Sequence, residues 1–248
     1  MNCKNKVAVV TGAAGGIGRC IAERFRDLGA KIAVIDRLNQ PEDLTCEFYF
    51  QGDIAKEPVL VKFSEQVIEK FGCVDYLINN ACLSRVGILS SCGWEDFLYV
   101  QKVGVAAPYM LSKLLLPYFN SGASIINIAS TRAFMSQENT ESYTAAKGGI
   151  LALTHALAVS LAGRRIRVNC ISPGWIDTSG AEFTGADSEQ HPAGRVGKPE
   201  DIADAVLYLC GASFITGENL IIDGGMSRLM IYHGDNGWVF ENDVPSKK

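Results

Sequence analysis

The chain has 248 residues, 48% hydrophobic and 20% charged, with a formal net charge of -4. That composition supports one sizeable core, and its mild acidity gives no electrostatic reason to expect nucleic acid or an anionic membrane as a partner. Eight cysteines without a C-x-x-C pair, and three separated histidines, give none of the usual metal-ligand spacings.

In chain order, Val7–Val10 is a β-branched strand that runs straight into a glycine-rich turn. Ile17–Leu28 has helical spacing and stops at Gly29. Strands are predicted at Lys31–Ile35, ending on Asp36, and at Glu47–Phe50, followed by an amphipathic helix over Glu57–Phe71 that Gly72 ends. Val74–Ile78 is the fourth strand, and Trp94–Phe119 reads as one long helix broken near Pro117. Ser124–Ile128 is the fifth strand, Ser142–Ala162 a long Ala-rich helix, and Ile166–Ile171 the sixth strand. Pro199–Cys210 is a helix with proline in its first turn, and Asn219–Ile222 the last strand.

The strands are nearly continuous apolar runs, as expected of a parallel sheet covered on both faces. Repeated strand–helix units then predict an α/β, doubly wound, Rossmann-type sheet of seven strands in a single domain. The domain is expected over 1–228, with an irregular substrate loop at about 172–198 and a tail over 229–248. No apolar run approaches the roughly 20 residues that span a bilayer, and Met1–Val10 lacks a signal-peptide profile. Scattered cysteines without a secretion signal fit a reducing, cytoplasmic setting.

The first strand leads into Thr11-Gly12-Ala13-Ala14-Gly15-Gly16-Ile17-Gly18. Gly12, Gly15, Gly16 and Gly18 allow a tight turn in which backbone N–H groups approach a pyrophosphate, and the helix opening at Ile17 offers its positive end to the same anion. Asp36, some 20 residues on, is placed to bind a ribose 2′-OH and to repel a 2′-phosphate, which favours NAD over NADP. Arg37 is adjacent; it reads either as a solvated charge or as a group that complicates this preference.

With Asn79-Asn80-Ala81, Ile128-Ala129-Ser130, Tyr143-Thr144-Ala145-Ala146-Lys147 and Pro173-Gly174, the turn makes an ordered set. This set resembles the short-chain dehydrogenase/reductase family over about residues 4–226. The resemblance implies that Ser130, Tyr143 and Lys147 are catalytic, and the physics is compatible. Tyr143 and Lys147 are spaced i, i+4 on one helix face. An ammonium there stabilises phenolate against an ordinary phenol value of about 10, so Tyr143 can serve as general acid or base, while Ser130 donates to a developing oxyanion. Lys147 is also expected, with Tyr143, to hold the nicotinamide ribose.

The resemblance further implies that Asp53 and Ile54 border the adenine, that Asn80 and Ala81 line the cofactor, and that Pro173, Gly174, Ile176 and Thr178 close over the nicotinamide. Asn79 is expected to brace the central sheet through backbone hydrogen bonds. Most family members carry an Asn in the long helix after the fourth strand, where it holds a water linking the lysine to solvent. Here Gln101 occupies that place and is expected to retain a weakened relay role. Cys82 replaces a common glycine.

Trp175, Phe183 and His191 of the substrate loop, together with Leu83, Arg85, Arg132 and Phe134, are expected around the substrate. Arg85 and Arg132 read either as anion-recognition groups or as surface ion-pair partners. The apolar tail is expected to pack on a neighbouring subunit, and the resemblance implies a homotetramer or homodimer with the two long helices at an interface. The reading reached is hydride transfer between NAD(H) and a secondary alcohol or ketone. An NADPH-dependent 3-oxoacyl reductase and a non-catalytic dinucleotide sensor are the alternatives.

Overall fold

The structure, a computed structural model, describes residues 2–232 and 234–235. One parallel sheet runs through it in the order β3-β2-β1-β4-β5-β6-β7. Its strands are β1 Val7–Thr11, β2 Lys31–Asp36, β3 Phe48–Gln51, β4 Val74–Asn79, β5 Phe119–Ile128, β6 Arg167–Pro173 and β7 Asn219–Ile222. The helices are α1 Gly16–Asp27, α2 Glu57–Phe71, α3 Trp94–Gln101, α4 Ala107–Leu115, α5 Glu141–Leu161, α6 Ala186–Glu189 and α7 Pro199–Gly211.

Every residue of β1 and β4 is buried, because side chains alternate between two covered faces. Ala8 and Val10 join Phe25 of α1 and Val206 and Leu209 of α7 on one side. Val9 joins Phe63 of α2, Leu111 of α4 and Leu161 of α5 on the other. Phe63 stacks on Phe48 with ring centroids 6.0 Å apart, which closes the core beneath the edge strand.

Two expectations about the middle of the chain need correction. Trp94–Phe119 is not one α-helix: a π-helical segment, Lys102–Ala106, separates α3 from α4. The chain leaves α4 through a 3₁₀ turn at Leu116–Tyr118, and Phe119 already begins β5. Phe119 pairs with Val74, an irregularity follows, and regular register resumes with Tyr76 opposite Ser124.

A third concerns membrane-spanning length. With its terminal turn, the helix over Glu141–Arg164 is long and apolar enough to cross a bilayer by length and composition. Polar residues such as Thr154 and His155 interrupt the apolar run in the sequence but do not interrupt the helix. Here the helix lies on the sheet, with Lys147, Ile150 and Thr154 buried.

Of the tail expected to pack on a neighbour, Leu229, Met230, Ile231 and Tyr232 are exposed. The remainder, apart from 234–235, lies outside the described residues. The sheet order reverses at β1, which has β2 on one side and β4 on the other. A crevice forms where the carboxyl ends of these strands diverge.

Candidate active site

The glycine turn at the mouth of this crevice is braced from both sides. Thr11 Oγ1 accepts the backbone N–H groups of Asn80 and Ala81, each at 3.0 Å. The Asn80 side-chain amide donates to the carbonyls of Thr11 and Gly12. From β2, Asp36 accepts the Ala14 N–H at 2.9 Å and the Leu38 N–H at 3.0 Å.

This bracing fixes two glycines. Gly12 has φ +68°, and a Cβ there would sit 2.8 Å from the Ala81 backbone. A Cβ on Gly18 would run into the Gly12 carbonyl and the Asn80 amide. Around Gly15, the N-cap of α1, there is open space instead, and a helix start of this kind leaves N–H groups free for an anion.

A cavity of about 310 Å³ opens beside the turn. Gly12, Ile17, Asp36, Arg37, Asp53 and Ile54 line it, with Ala81 and Thr178. These residues suit a dinucleotide's adenosine half. Ile17, Ile35 and Ile54 offer apolar walls, Asp36 stands at the end of β2, and the glycine edge is open for phosphate. Gly16, also in the turn, lies against Thr178, whose methyl would be 3.1 Å from an added Cβ.

Sequence reading missed Tyr99 and Val103, which reach the same cavity from the helix after β4. Leu83 and Cys82 also line this cavity, whereas Leu83 was expected at the substrate. Asn80 lies on the cavity wall, but its amide is spent on the turn. Asn79 braces the sheet through its side chain rather than the backbone: its amide donates to Asn127 at 2.8 Å, and Asn127 donates to Thr154 at 2.9 Å.

Across the crevice, the end of β5 and the first turns of α5 bring Ser130, Tyr143 and Lys147 together. Lys147 is buried, and its Nζ donates to the Ile128 carbonyl at 2.7 Å. Nζ lies 5.3 Å from the centre of the Tyr143 ring. Ser130 Oγ accepts the Arg132 N–H at 3.2 Å, and Ser130 shares a cavity wall with Tyr143.

Burial pushes the phenol of Tyr143 above its ordinary value; Lys147, the Ser130 hydroxyl and Arg132 pull it back, and Cys82 adds to the rise. The expected lowering by the ammonium is therefore present but outweighed by desolvation. The half-buried phenol keeps its proton at neutral pH.

Gln101 ends α3, and its side-chain amide donates to the Ser142 carbonyl at 2.8 Å. It tethers the turn that holds Tyr143 and is bonded to that backbone rather than to Lys147. The π-helical segment beside it is pressed onto α5, so that a Cβ on Gly104 would meet the Ala146 methyl at 2.8 Å.

Ser130 and Tyr143 open onto a second cavity of about 760 Å³, walled also by Arg132, Gln137, Trp175 and Gln190. Gly174 and Ile176 line it as well, while the adjacent Pro173 ends β6. Trp175 packs edge-on against Phe183 at 4.9 Å and tilts over His191 at 6.1 Å. His191 is buried behind it, with Nδ1 donating to the Asp187 carbonyl at 3.0 Å. Two residues expected here lie elsewhere. Arg85 pairs with Asp96 at 3.7 Å and sits over the Tyr99 ring, and Phe134 is exposed and not among the cavity's walls.

A family model described as Enoyl-(Acyl carrier protein) reductase matches residues 12–227. An uncharacterized oxidoreductase of Thermotoga maritima is 41% identical, over 92% of this chain and 98% of its own length. The solved structure of an apo SCOR enzyme from Clostridium thermocellum is 49% identical, with a TM-score of 0.90 over 98% of this chain and 100% of that one. A 3-ketoacyl-(acyl-carrier-protein) reductase from Brucella melitensis, complexed with NADH, is 34% identical with a TM-score of 0.82, over 90% of this chain and 99% of that one. With a seven-stranded parallel sheet, a braced glycine turn and the Ser130, Tyr143 and Lys147 cluster, the chain belongs to the short-chain dehydrogenase/reductase family and is an oxidoreductase dependent on a nicotinamide dinucleotide.

Proposed function

We propose that the protein moves a hydride between NAD(H) and a secondary alcohol or ketone, with Tyr143 as general acid and base. The observation behind this is the Tyr143 phenol, 5.3 Å from Lys147 by ring centre and beside Ser130 on the wall of a cavity of about 760 Å³. When bound, the nicotinamide ring supplies or accepts the hydride. In reduction the carbonyl carbon gains the hydride and Tyr143 gives its proton to the oxygen; in oxidation Tyr143 takes that proton back. Ser130 steadies the oxygen as charge develops. Lys147, pinned by Ile128, lowers the cost of the phenolate left behind.

Gln101 is a positioning residue in this reading. It fixes the Ser142 carbonyl, one residue before Tyr143, in place of the weakened water relay expected from the sequence.

NAD is favoured over NADP because the Asp36 carboxylate, held by two N–H groups, stands where a 2′-phosphate would have to lie. Arg37 lines the same wall and works against this preference. The likeness to the Brucella reductase favours a second reading, a 3-oxoacyl reductase; the NADPH-dependent form of that reading has Asp36 against it. A sensor without turnover has no use for a phenol set beside a buried lysine.

We place the protein in the cytoplasm on the strength of eight free cysteines, among them the buried Cys3, Cys170 and Cys210. Residues 1–228 form one dinucleotide-binding and catalytic unit. That unit assembles as a homodimer or homotetramer through the exposed face of α5.

The test is a panel of secondary alcohols and ketones with NAD(H) and NADP(H), read by reduced-nicotinamide absorbance. Turnover should favour NAD(H), and Tyr143→Phe should cut it by about a hundred- to ten-thousand-fold. Equal turnover by Tyr143→Phe would remove the assigned role, and preference for NADPH would remove the cofactor assignment.

A further inference from the structure

The two arginines left open by the sequence separate cleanly in the structure. Arg85 is committed to Asp96 and to the Tyr99 ring. Arg132 is in none of the ion pairs among the described residues. Its backbone N–H is fixed on Ser130 Oγ, and its guanidinium donates to the Gln137 side-chain carbonyl. A guanidinium has five N–H donors in a planar fork, so most of this one is unspent.

Arg132 is half-buried on the wall of the cavity that contains Tyr143 and is the one charged residue among that wall's described side chains. A cation partly removed from water without a counter-charge is costly, and its field in a concave site is concentrated on whatever enters. The other polar groups nearby, Ser84, Ser136, Gln137 and Gln190, are neutral hydrogen-bonding groups suited to hydroxyls.

We propose that Arg132 is a specificity-determining residue that binds an oxyanion, a carboxylate or phosphate ester, on a hydroxylated substrate. The inference rests on the hydride-transfer reading above and narrows it to hydroxy acids, sugar acids or sugar phosphates and their oxo counterparts. A planar fork binds carboxylate or phosphate through paired hydrogen bonds. The anion would be held beside Ser130, since the Arg132 backbone is bonded to that residue's hydroxyl.

The experiment uses matched probes at constant ionic strength. Gluconate and sorbitol 6-phosphate are each compared with sorbitol, and 3-hydroxybutyrate with 2-butanol, in the wild type, Arg132→Gln and Arg132→Lys. In the wild type the anionic member should exceed its neutral partner in kcat/KM by about tenfold to a hundredfold, chiefly through KM. That ratio should collapse towards one in Arg132→Gln and be partly restored in Arg132→Lys. The carboxylate and phosphate arms identify which oxyanion is taken. A neutral partner used as well, or an anionic preference that survives in Arg132→Gln, overturns the proposal and leaves hydride transfer standing.

Thermal unfolding with the same probes gives a readout independent of turnover. If no probe is turned over, saturable stabilisation by gluconate or sorbitol 6-phosphate, lost in Arg132→Gln, still supports the anion site while the hydride-transfer reading fails. No such stabilisation in the wild type then overturns the anion site.

Discussion

Tyr143 is held between burial, which favours its neutral phenol, and Lys147, Ser130 and Arg132, which favour the phenolate. Desolvation is the larger effect, so the two directions of the reaction should differ in pH dependence. Reduction uses the phenol and should be level through neutral pH. Oxidation uses the phenolate and should rise with pH into the alkaline range. Gln101 acts on the same residue through the Ser142 carbonyl. In Gln101→Asn the amide sits one methylene short of that carbonyl, so turnover should drop about tenfold to a hundredfold, the cost of a misplaced acid. The alkaline limb of oxidation should move as well. Rates over pH 6–10 for both enzymes check this, and identical profiles would remove Gln101 from the positioning scheme.

At the scale of elements, α7 shows how a local signal fixes the exit of the substrate loop. Asp201 accepts the Lys198 N–H at 2.8 Å and receives both arms of Arg195 at 2.7 Å. The Arg195 guanidinium holds the Asp201 carboxyl below the usual carboxylate range. A carboxylate depressed in the folded state stabilises above its unfolded value, about 3.9, and loses that contribution as pH falls through the folded value. Asp201→Asn should therefore unfold more easily by about 1 kcal/mol at pH 7. The gap to the wild type should close below pH 4 in denaturant titrations.

Pro199 at a helix start, Gly72 at a helix end and the β-branched strands were legible because each is a local signal. The start of β5 was not, since Phe119 continues a helical pattern in the sequence and enters the sheet only by pairing with Val74 of β4. Tyr99 was equally hidden, because its place on the cavity wall depends on how α3 packs against α5 rather than on its neighbours in sequence.

For the whole molecule, the helix that holds Tyr143 and Lys147 also carries exposed apolar side chains. Ala152, Ala156 and Val159 are exposed on α5, Val159 by 78%, and the spacing puts them on one stripe. A stripe of that kind next to the site is where a second copy would cover the helix. Val159→Lys should shift the protein towards monomer in light scattering, and unchanged mass would move the contact elsewhere. The proposed catalytic cluster was legible in the sequence because Ser130, Tyr143 and Lys147 stand at set intervals. Of the wall that Ser130 and Tyr143 open onto, Arg132 and Trp175 were expected from the sequence, whereas Gln137 and Gln190 join them only in three dimensions.

The π-helical segment at Lys102–Ala106 holds one residue more than an α-helical turn needs. Deleting a single residue there would let α3 run unbroken into α4 and twist one against the other by about 100°. Leu111 and Leu115 anchor α4 in the core, so α3 would do the turning. Tyr99 would swing off the cavity beside the glycine turn as Gln101 let go of Ser142. The surplus residue thus sets the phase that lets one helix serve two ends of the crevice, and losing it would uncouple both while the sheet stayed whole.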